Sequence, residues 1–346
     1  MARTLKVVHC GLGPIGQSIA RMVLAEDVFS VAGAMDPSAD YAGKDLGTAL
    51  GLARKVRVKV EGDPDRFFKK AKADVAILCT SSSARAVKPQ VLALVQRGMH
   101  VVTTCEELAH PTTEHDAVAR EISRAAEKKK VSVLATGVNP GYAMDALPLM
   151  LTASCSEVRR VNVTRIVDAG TRRLPLQRKV GAGLNLSQFR RAITEGTVRH
   201  VGLLESVHMI AAALGWKLER VEETLEAAVA PRDLDTEYLR VPAGMAAGIH
   251  QCARGFRNGE VAVSLDLQMY VGAESPRDHV HIDGTPPIDV TVAGGIAGDQ
   301  ATAAIVVNSI PKLMGARPGL VTMRDLPLVH RLNPAEVMNL PGRKRI

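Results

Sequence analysis

The sequence predicts an α/β protein: a Rossmann-type doubly wound parallel sheet, then a second α+β domain carrying a mixed or antiparallel sheet. Three observations carry this expectation. A strand, a glycine turn and an amphipathic helix open the chain. Short buried-strand runs then alternate with helical stretches, which implies parallel strands with right-handed crossovers. From about residue 155 the texture changes to longer strands joined by tight turns such as Arg257-Asn258-Gly259.

Leu5, Val7 and Val8 form a β-rich run of the kind buried in a parallel sheet. Gly11, Gly13 and Gly16 follow as G-x-G-x-x-G, and Ile15, Ile19, Met22 and Val23 share one helix face. That order is the setting in which the motif holds a dinucleotide. Gly11 permits the tight turn, Gly13 lets the backbone approach a pyrophosphate, and Gly16 lets helix and strand pack closely. The helix N-terminus offers unpaired N–H groups to the phosphates. Leu12, Pro14 and Ile15 belong to the same turn. Residues 29–35 read as a second strand ending at Asp36, where a carboxylate is expected to hold the adenosine ribose. Asp36 argues for NAD; Ser38 and Lys44 leave NADP open, so the expected cofactor is NADP or NAD.

Val56 to Val60 alternates like a strand, and 64–72 reads as a short basic helix. Asp74 to Cys79 is the next buried strand. It ends in Thr80-Ser81-Ser82-Ser83, a polar loop on the edge where doubly wound folds bind ligands; Ser83 also suits a helix N-cap. Helix 84–97 and strand 99–103 lead to Thr104-Cys105-Glu106-Glu107-Leu108. The Glu106-Glu107 pair is the best acid–base candidate, because a carboxyl half-buried beside a nicotinamide has its pKa raised towards neutrality. A helix N-terminus would equally favour such a pair. Helix 112–129 and strand 131–135 bring the chain to Thr136-Gly137-Val138-Asn139-Pro140-Gly141, another loop on that edge, with a helix expected from Tyr142.

In the second domain, strands are expected at 158–167, 218–229, 248–256, 262–271, 279–282 and 288–292, with helices at 186–195 and 203–214. A last helix, capped by Asp299, is expected to return to the first domain. The predicted division is therefore 1–142, completed by about 299–330, for the dinucleotide, and 143–298 for substrate and dimerisation. Thr164 to Gly183 gathers Arg165, Asp168, Arg172, Arg173, Gln177 and Lys179 before a glycine-rich exit. Such a run lines a substrate site or forms a basic surface loop. His200 is a further candidate for that pocket. His279 and His281 share a strand face without a third ligand, and the five cysteines lack metal spacing, so no metal is expected.

The net charge is +8, but the basic residues are scattered and aromatics make up only 3% of the chain, which leaves no stacking platform for nucleic acid. No apolar run is long enough to span a bilayer. No signal peptide is expected, nor structural disulfides, and the expected location is the cytoplasm. The terminal Gly342-Arg343-Lys344-Arg345-Ile346 reads as a frayed end.

Gly-Leu-Gly-Pro-Ile-Gly, Thr-Cys-Glu-Glu-Leu, Gly-Val-Asn-Pro-Gly-Tyr, Val-Asp-Ala-Gly-Thr-Arg-Arg-Leu-Pro-Leu-Gln and His-Val-Gly-Leu-Leu-Glu-Ser together resemble one family. It is that of 2,4-diaminopentanoate dehydrogenase and the native NAD(P)-dependent amine dehydrogenases, with a dihydrodipicolinate-reductase-like N-terminal domain. The resemblance spans most of residues 4–330. It implies reversible oxidative deamination of an amine, or reductive amination of a small ketone or aldehyde with ammonia, in a homodimer. It maps the catalytic carboxyl to Glu107 rather than Glu106. The implied cofactor contacts are the glycine turn, Asp36, Ser38, Thr80, Ser81, Ser82, Thr104, Cys105 and Asn139. The implied substrate pocket takes Glu106, Pro140, Tyr142, Met144, Arg165, Asp168, Arg173 and His200. A small apolar carbonyl compound is the expected substrate and a diamino acid the alternative. A nicotinamide-binding sensor without turnover is the competing non-enzyme reading.

Overall fold

The computed structural model describes residues 4–340, so the basic C-terminal pentapeptide lies outside the described residues. Two compact units form, one running up to Tyr142 and resuming at Gly298, the other spanning Ala143–Ala297.

In the first unit, β1 (Leu5–Cys10), α1 (Pro14–Ala25), β2 (Phe29–Met35), α2 (Leu46–Ala49), β3 (Val60–Glu61), α3 (Pro64–Lys70), β4 (Val75–Leu78), α4 (Ala84–Gln96), β5 (His100–Thr103), α5 (Asp116–Lys129) and β6 (Ser132–Ala135) follow in order. β4, β5 and β6 are buried along their whole length, as strands of a parallel sheet covered on both faces must be. After the second unit the chain returns as α10 (Gly298–Met314), β15 (Gly319–Val321) and α11 (Pro334–Met338). The sheet order is β15-β6-β5-β4-β1-β2-β3, and every pair is parallel. The order reverses between β1 and β4, the topological switch point at which such sheets bind ligands.

The expected strand at 56–60 shrinks to Val60–Glu61. Arg57 takes a positive φ of 62°, and the Val56 and Arg57 N–H groups bond the Asp45 carboxylate instead of a neighbouring strand. Val56 and Val58 still pack against the cluster of Leu12, Ala34 and Leu46, so the alternation reported burial without a ladder. The expected helix from Tyr142 starts only at Ala146, where the Asp145 carboxylate accepts the Ala146 N–H. The three-residue β15 carries too short a pattern to read from sequence.

The second unit holds α6 (Ala146–Leu151), β7 (Glu157–Asp168), α7 (Leu174–Lys179), α8 (Leu186–Thr194), α9 (Leu203–Ala213), β8 (Arg220–Val229), the short pair β9 (Leu234–Asp235) and β10 (Arg240–Val241), and then β11 (Ala246–Arg257), β12 (Glu260–Tyr270), β13 (Arg277–Thr285) and β14 (Ile288–Ala293). Its main sheet runs β14-β13-β7-β12-β11-β8, mixed because β12 and β7 are parallel and the other pairs antiparallel. Strict alternation of burial along β13 marks a sheet with one packed face and one polar face. Pro175 near the start of α7 turns part of the basic 164–183 run into a helix.

Candidate active site

The glycine turn sits at the switch point. Gly11 has φ +93°, and a Cβ there would lie 2.4 Å from the Cys79 carbonyl oxygen. A Cβ on Gly16 would lie 2.0 Å from the Gly11 oxygen, so α1 approaches the turn as only glycine allows. Gly13 differs: it is exposed, and an added Cβ would meet nothing within 4 Å. That open backbone beside the N-terminus of α1 is what a pyrophosphate requires.

Beneath the turn, the buried His9 ring bonds the Gly11 carbonyl through Nε2 at 3.0 Å. Burial pushes its pKa down to about 4, so the ring is neutral and Nε2–H donates. A folded-state pKa below the ordinary value means stability that is complete above pH 6.5 and lost as pH falls towards 4. The expected loss is on the order of 3 kcal/mol over that window. Urea unfolding followed by far-ultraviolet circular dichroism at pH 7.5 and pH 4.5 checks this, and His9→Gln is expected to flatten the difference.

Asp36, at the carboxyl end of β2, accepts the Leu12 N–H at 2.6 Å and the Ser38 N–H at 2.9 Å, which ties the turn to the second strand. A cavity of about 900 Å³ opens beside it, lined by Gly11, Gly13, Asp36, Pro37, Lys69, Cys79 and Thr80 among others. Its volume, its open glycine and its carboxylate fit the adenosine and pyrophosphate part of a dinucleotide. Lys69 emerges only here, because nothing in the sequence of a basic helix says which lysine faces a ligand.

The next strand ends bring the acid–base candidates together. Glu107 lies in a 3-10 turn, Glu106–Leu108, directly after β5. Its Oε2 accepts the Ala84 N–H at 2.8 Å, at the first residue of α4. Ser83 holds the N-cap position, yet its hydroxyl makes no cap; its N–H instead donates to Ser81 Oγ. Helix α4 is therefore capped by a carboxylate 23 residues further along the chain. His115 Nε2 lies 3.4 Å from the same Oε2, and the Glu107 side chain is only 13% exposed. The sequence carries no signal for His115, since its approach depends on how the chain between β5 and α5 folds back. Cys105 is buried, and its thiol donates to the Ser82 carbonyl. Burial and the charges of Glu106 and Glu107 push the Cys105 thiol up, and burial pushes Cys79 up to about 12, so both stay protonated. Thr104 continues from β5, its N–H on the Leu78 carbonyl.

The loop after β6 completes this edge. Gly141 has φ +123°, and a Cβ there would lie 2.4 Å from Thr136 Oγ1. The Thr302 hydroxyl of α10 accepts the Val138 N–H, which pins the loop carrying Asn139 and Pro140 to the returning helix. Tyr142 is half-buried at its end.

In the second unit the predicted pocket residues separate into different roles. Arg165 is buried in an ion pair with Asp278 and also donates to the Ile296 carbonyl. One oxygen of Asp168 accepts the N–H groups of Gly170 and Gly272, which fixes the turn after β7. Met144 is fully buried. Arg173 is half-buried at the start of α7. Gln177 is buried and bonds the Gly170 and Arg172 carbonyls and the Thr236 hydroxyl. The His200 backbone is bracketed by Gln251, which accepts its N–H and donates to its carbonyl, both at 2.9 Å. Desolvation, then the charges of Lys179, Arg165 and Arg199, push the His200 ring down to about 3. His279 and His281 share a face as expected; His279 pairs with Asp289 and His281 meets Asn162.

A parallel sheet of this order, with a glycine turn at its switch point and a carboxylate at the end of the second strand, is the NAD(P)-binding domain of a dehydrogenase. Residues 5–135 match the dihydrodipicolinate reductase N-terminal family, and residues 142–339 match the 2,4-diaminopentanoate dehydrogenase C-terminal domain. The chain is 34% identical to 2,4-diaminopentanoate dehydrogenase of Acetoanaerobium sticklandii, over 94% of both chains. It is 22% identical to an amine dehydrogenase of Streptomyces virginiae, over 94% of this chain and 96% of that one. The amine dehydrogenase of Mycobacterium smegmatis has the same fold, with a TM-score of 0.84 at 20% identity, covering 95% of this chain and 98% of that one. The chain belongs to the 2,4-diaminopentanoate dehydrogenase family and is an oxidoreductase acting on CH–NH2 groups. Among the described residues no helix is long and apolar enough to cross a membrane.

Proposed function

We propose that this chain catalyses a reversible oxidative deamination: a protonated primary amine, NAD⁺ and water give a ketone or aldehyde, ammonium, NADH and one proton. The observation that carries the proposal is Glu107, a carboxylate whose Oε2 is anchored on the ligand edge of a sheet whose glycine turn fits a dinucleotide. NAD, when bound, supplies the hydride chemistry. Gly11, Gly13, Gly16 and the N-terminus of α1 would hold its pyrophosphate, and Asp36 its ribose. Glu107 takes the proton from the substrate ammonium, so that a lone pair on nitrogen assists loss of hydride from the neighbouring carbon. In the reverse direction it returns that proton. Ala84 N–H and His115 hold Oε2 and so fix the orientation of the carboxylate.

We assign NAD in preference to NADP, because the Asp36 carboxylate repels a 2′-phosphate. Asp36→Asn is expected to shift the ratio of NADH to NADPH dissociation constants about tenfold towards NADPH, as expected for one charge-assisted contact. Fluorescence titration with both reduced cofactors measures it, and an unchanged ratio would place the adenosine ribose elsewhere.

The likeness to 2,4-diaminopentanoate dehydrogenase supports a substrate with a carboxylate, as that diamino acid has. The test follows NAD(H) absorbance in both directions. The forward assay offers the diamino acid; the reverse assay offers small ketones and aldehydes with and without ammonium. Oxidation of the diamino acid, with ammonium-dependent turnover in reverse, is expected. Turnover of ketones alone would assign an apolar site. Reduction without ammonium would move the protein to the carbonyl reductases, and binding without turnover to the sensors.

A further inference from the structure

The polar face of the six-stranded sheet carries a group of side chains that the proposed reaction does not use. β11 and β12 pair antiparallel, and their register sets Cys252 opposite Asp266 and His250 opposite Gln268. His250 and Cys252, two residues apart, share this face, while Ile249, Gln251 and Ala253 alternate onto the buried one. Arg165 is buried as well, so its ion pair belongs to the packed side of the sheet. On the polar face, His250 Nε2 lies 3.1 Å from Asp266 Oδ1 and 3.3 Å from Cys252 Sγ. The three donor atoms all lie within 4.8 Å of one another.

Both neighbours meet the same ring nitrogen. A Cys–His–Asp relay uses opposite nitrogens, one for the nucleophile and one for the carboxylate, so this group is not an activated thiol. A neutral imidazole offers at Nε2 either a lone pair or an N–H, and so serves the thiol or the carboxylate but not both. A cation at the centre of the three would serve all of them. Tetrahedral zinc, with a sulfur ligand near 2.3 Å and nitrogen and oxygen ligands near 2.0–2.1 Å, gives donor–donor edges of roughly 3.3–3.6 Å. The two edges that meet at His250 Nε2, 3.1 and 3.3 Å, are within a few tenths of an ångström of these.

We propose that His250, Cys252 and Asp266 form a site for a thiophilic divalent cation of the zinc class, cross-linking β11 to β12. Imidazole and thiolate select such an ion over magnesium or calcium, which prefer all-oxygen shells. Gln268 donates to Asp266 Oδ1 at 3.1 Å and holds the carboxylate in orientation from outside the ligand set. Water completes the fourth position. The site escapes the sequence because its ligands come from two strands, and only their register brings Asp266 to the His-x-Cys pair.

The test adds Co²⁺ to the purified full-length chain and follows thiolate-to-cobalt charge transfer and the visible bands of tetrahedral cobalt. Calorimetry with Zn²⁺ gives the stoichiometry. The expected result is one ion per chain, no charge-transfer band in Cys252→Ser, and binding at least about tenfold weaker in Asp266→Asn. Zn²⁺ is also expected to raise the melting temperature of the wild type and not of Cys252→Ser, because an ion bound only by the folded state stabilises it. All three side chains are partly exposed, so the variants are expected to fold, and circular dichroism checks it. Absence of the cobalt band in the wild type, or a band unchanged in both variants, overturns the proposal.

Discussion

Replacing Glu107 by glutamine is expected to lower kcat about 10²- to 10⁴-fold, the range for removal of a positioned general acid–base group. The melting temperature is expected to stay nearly unchanged. The separation follows from the two jobs of this side chain. One is structural: Oε2 accepts the Ala84 N–H and closes the N-terminus of α4. Glutamine retains a carbonyl oxygen that can accept the same bond, but it cannot carry a proton at neutral pH. Glu107→Ala removes both functions, and should add about 1 kcal/mol of destabilisation for the lost cap. His115→Ala frees the carboxylate on one side without removing it. It should lower kcat less than Glu107→Gln, as expected of a positioning residue. Glu106→Gln is the necessary comparison. If it abolishes turnover while Glu107→Gln retains it, Glu107 is only the cap of α4, and the proton passes through its neighbour. Steady-state kinetics with the amine substrate, with NADH binding by fluorescence as control, decides between these outcomes.

The parts of this site that were legible in the sequence are those set by local chemistry. A strand, three glycines at fixed spacing and a carboxylate after the second strand can each be read from neighbours in the chain. The structure arranges them at one switch point because each is tied to its own strand end. Periodicity likewise located the six long strands of the second unit, since their alternation follows from one packed and one polar face. It misled at 56–60, where two valines bury without a ladder because Asp45 takes up the backbone N–H groups.

What stayed hidden depends on contacts across long stretches of chain. Thr80 to Ser83 announces a helix start, but not that a glutamate from after the following strand caps it. The run 164–183 announces charge, but not that Arg165 is spent on a partner 113 residues away. Arg199 joins Lys179 and His200 only in the structure, which brings both charges to bear on the His200 ring.

Asp278→Ala tests that last distinction and is expected to destabilise the second unit by about 3–5 kcal/mol, the cost of leaving one member of a buried ion pair without its partner. The register of β13 on β7 places Asp278 directly opposite Arg165. The two side chains are 1% and 3% exposed. Asp278 Oδ1 accepts from Arg165 at 2.5 Å and Oδ2 from the Ile296 N–H at 2.6 Å, while Arg165 donates to the Ile296 carbonyl at 2.7 Å. The pair thus fastens β7, β13 and the segment after β14. Removing the carboxylate strands a guanidinium that cannot lose its proton. The single tryptophan, Trp216, lies in this unit, so its fluorescence reports the unit's unfolding directly. A drop in melting temperature on the order of 10 °C is expected for a unit of this size. Asp278→Asn keeps an acceptor and should cost less. The double variant Arg165→Met with Asp278→Leu should recover much of the loss, because it removes both desolvated charges. A loss below about 1 kcal/mol in Asp278→Ala would instead be the behaviour of a solvated pair. Arg165 would then be available to a substrate carboxylate, and its replacement should raise KM for the diamino acid without unfolding the sheet.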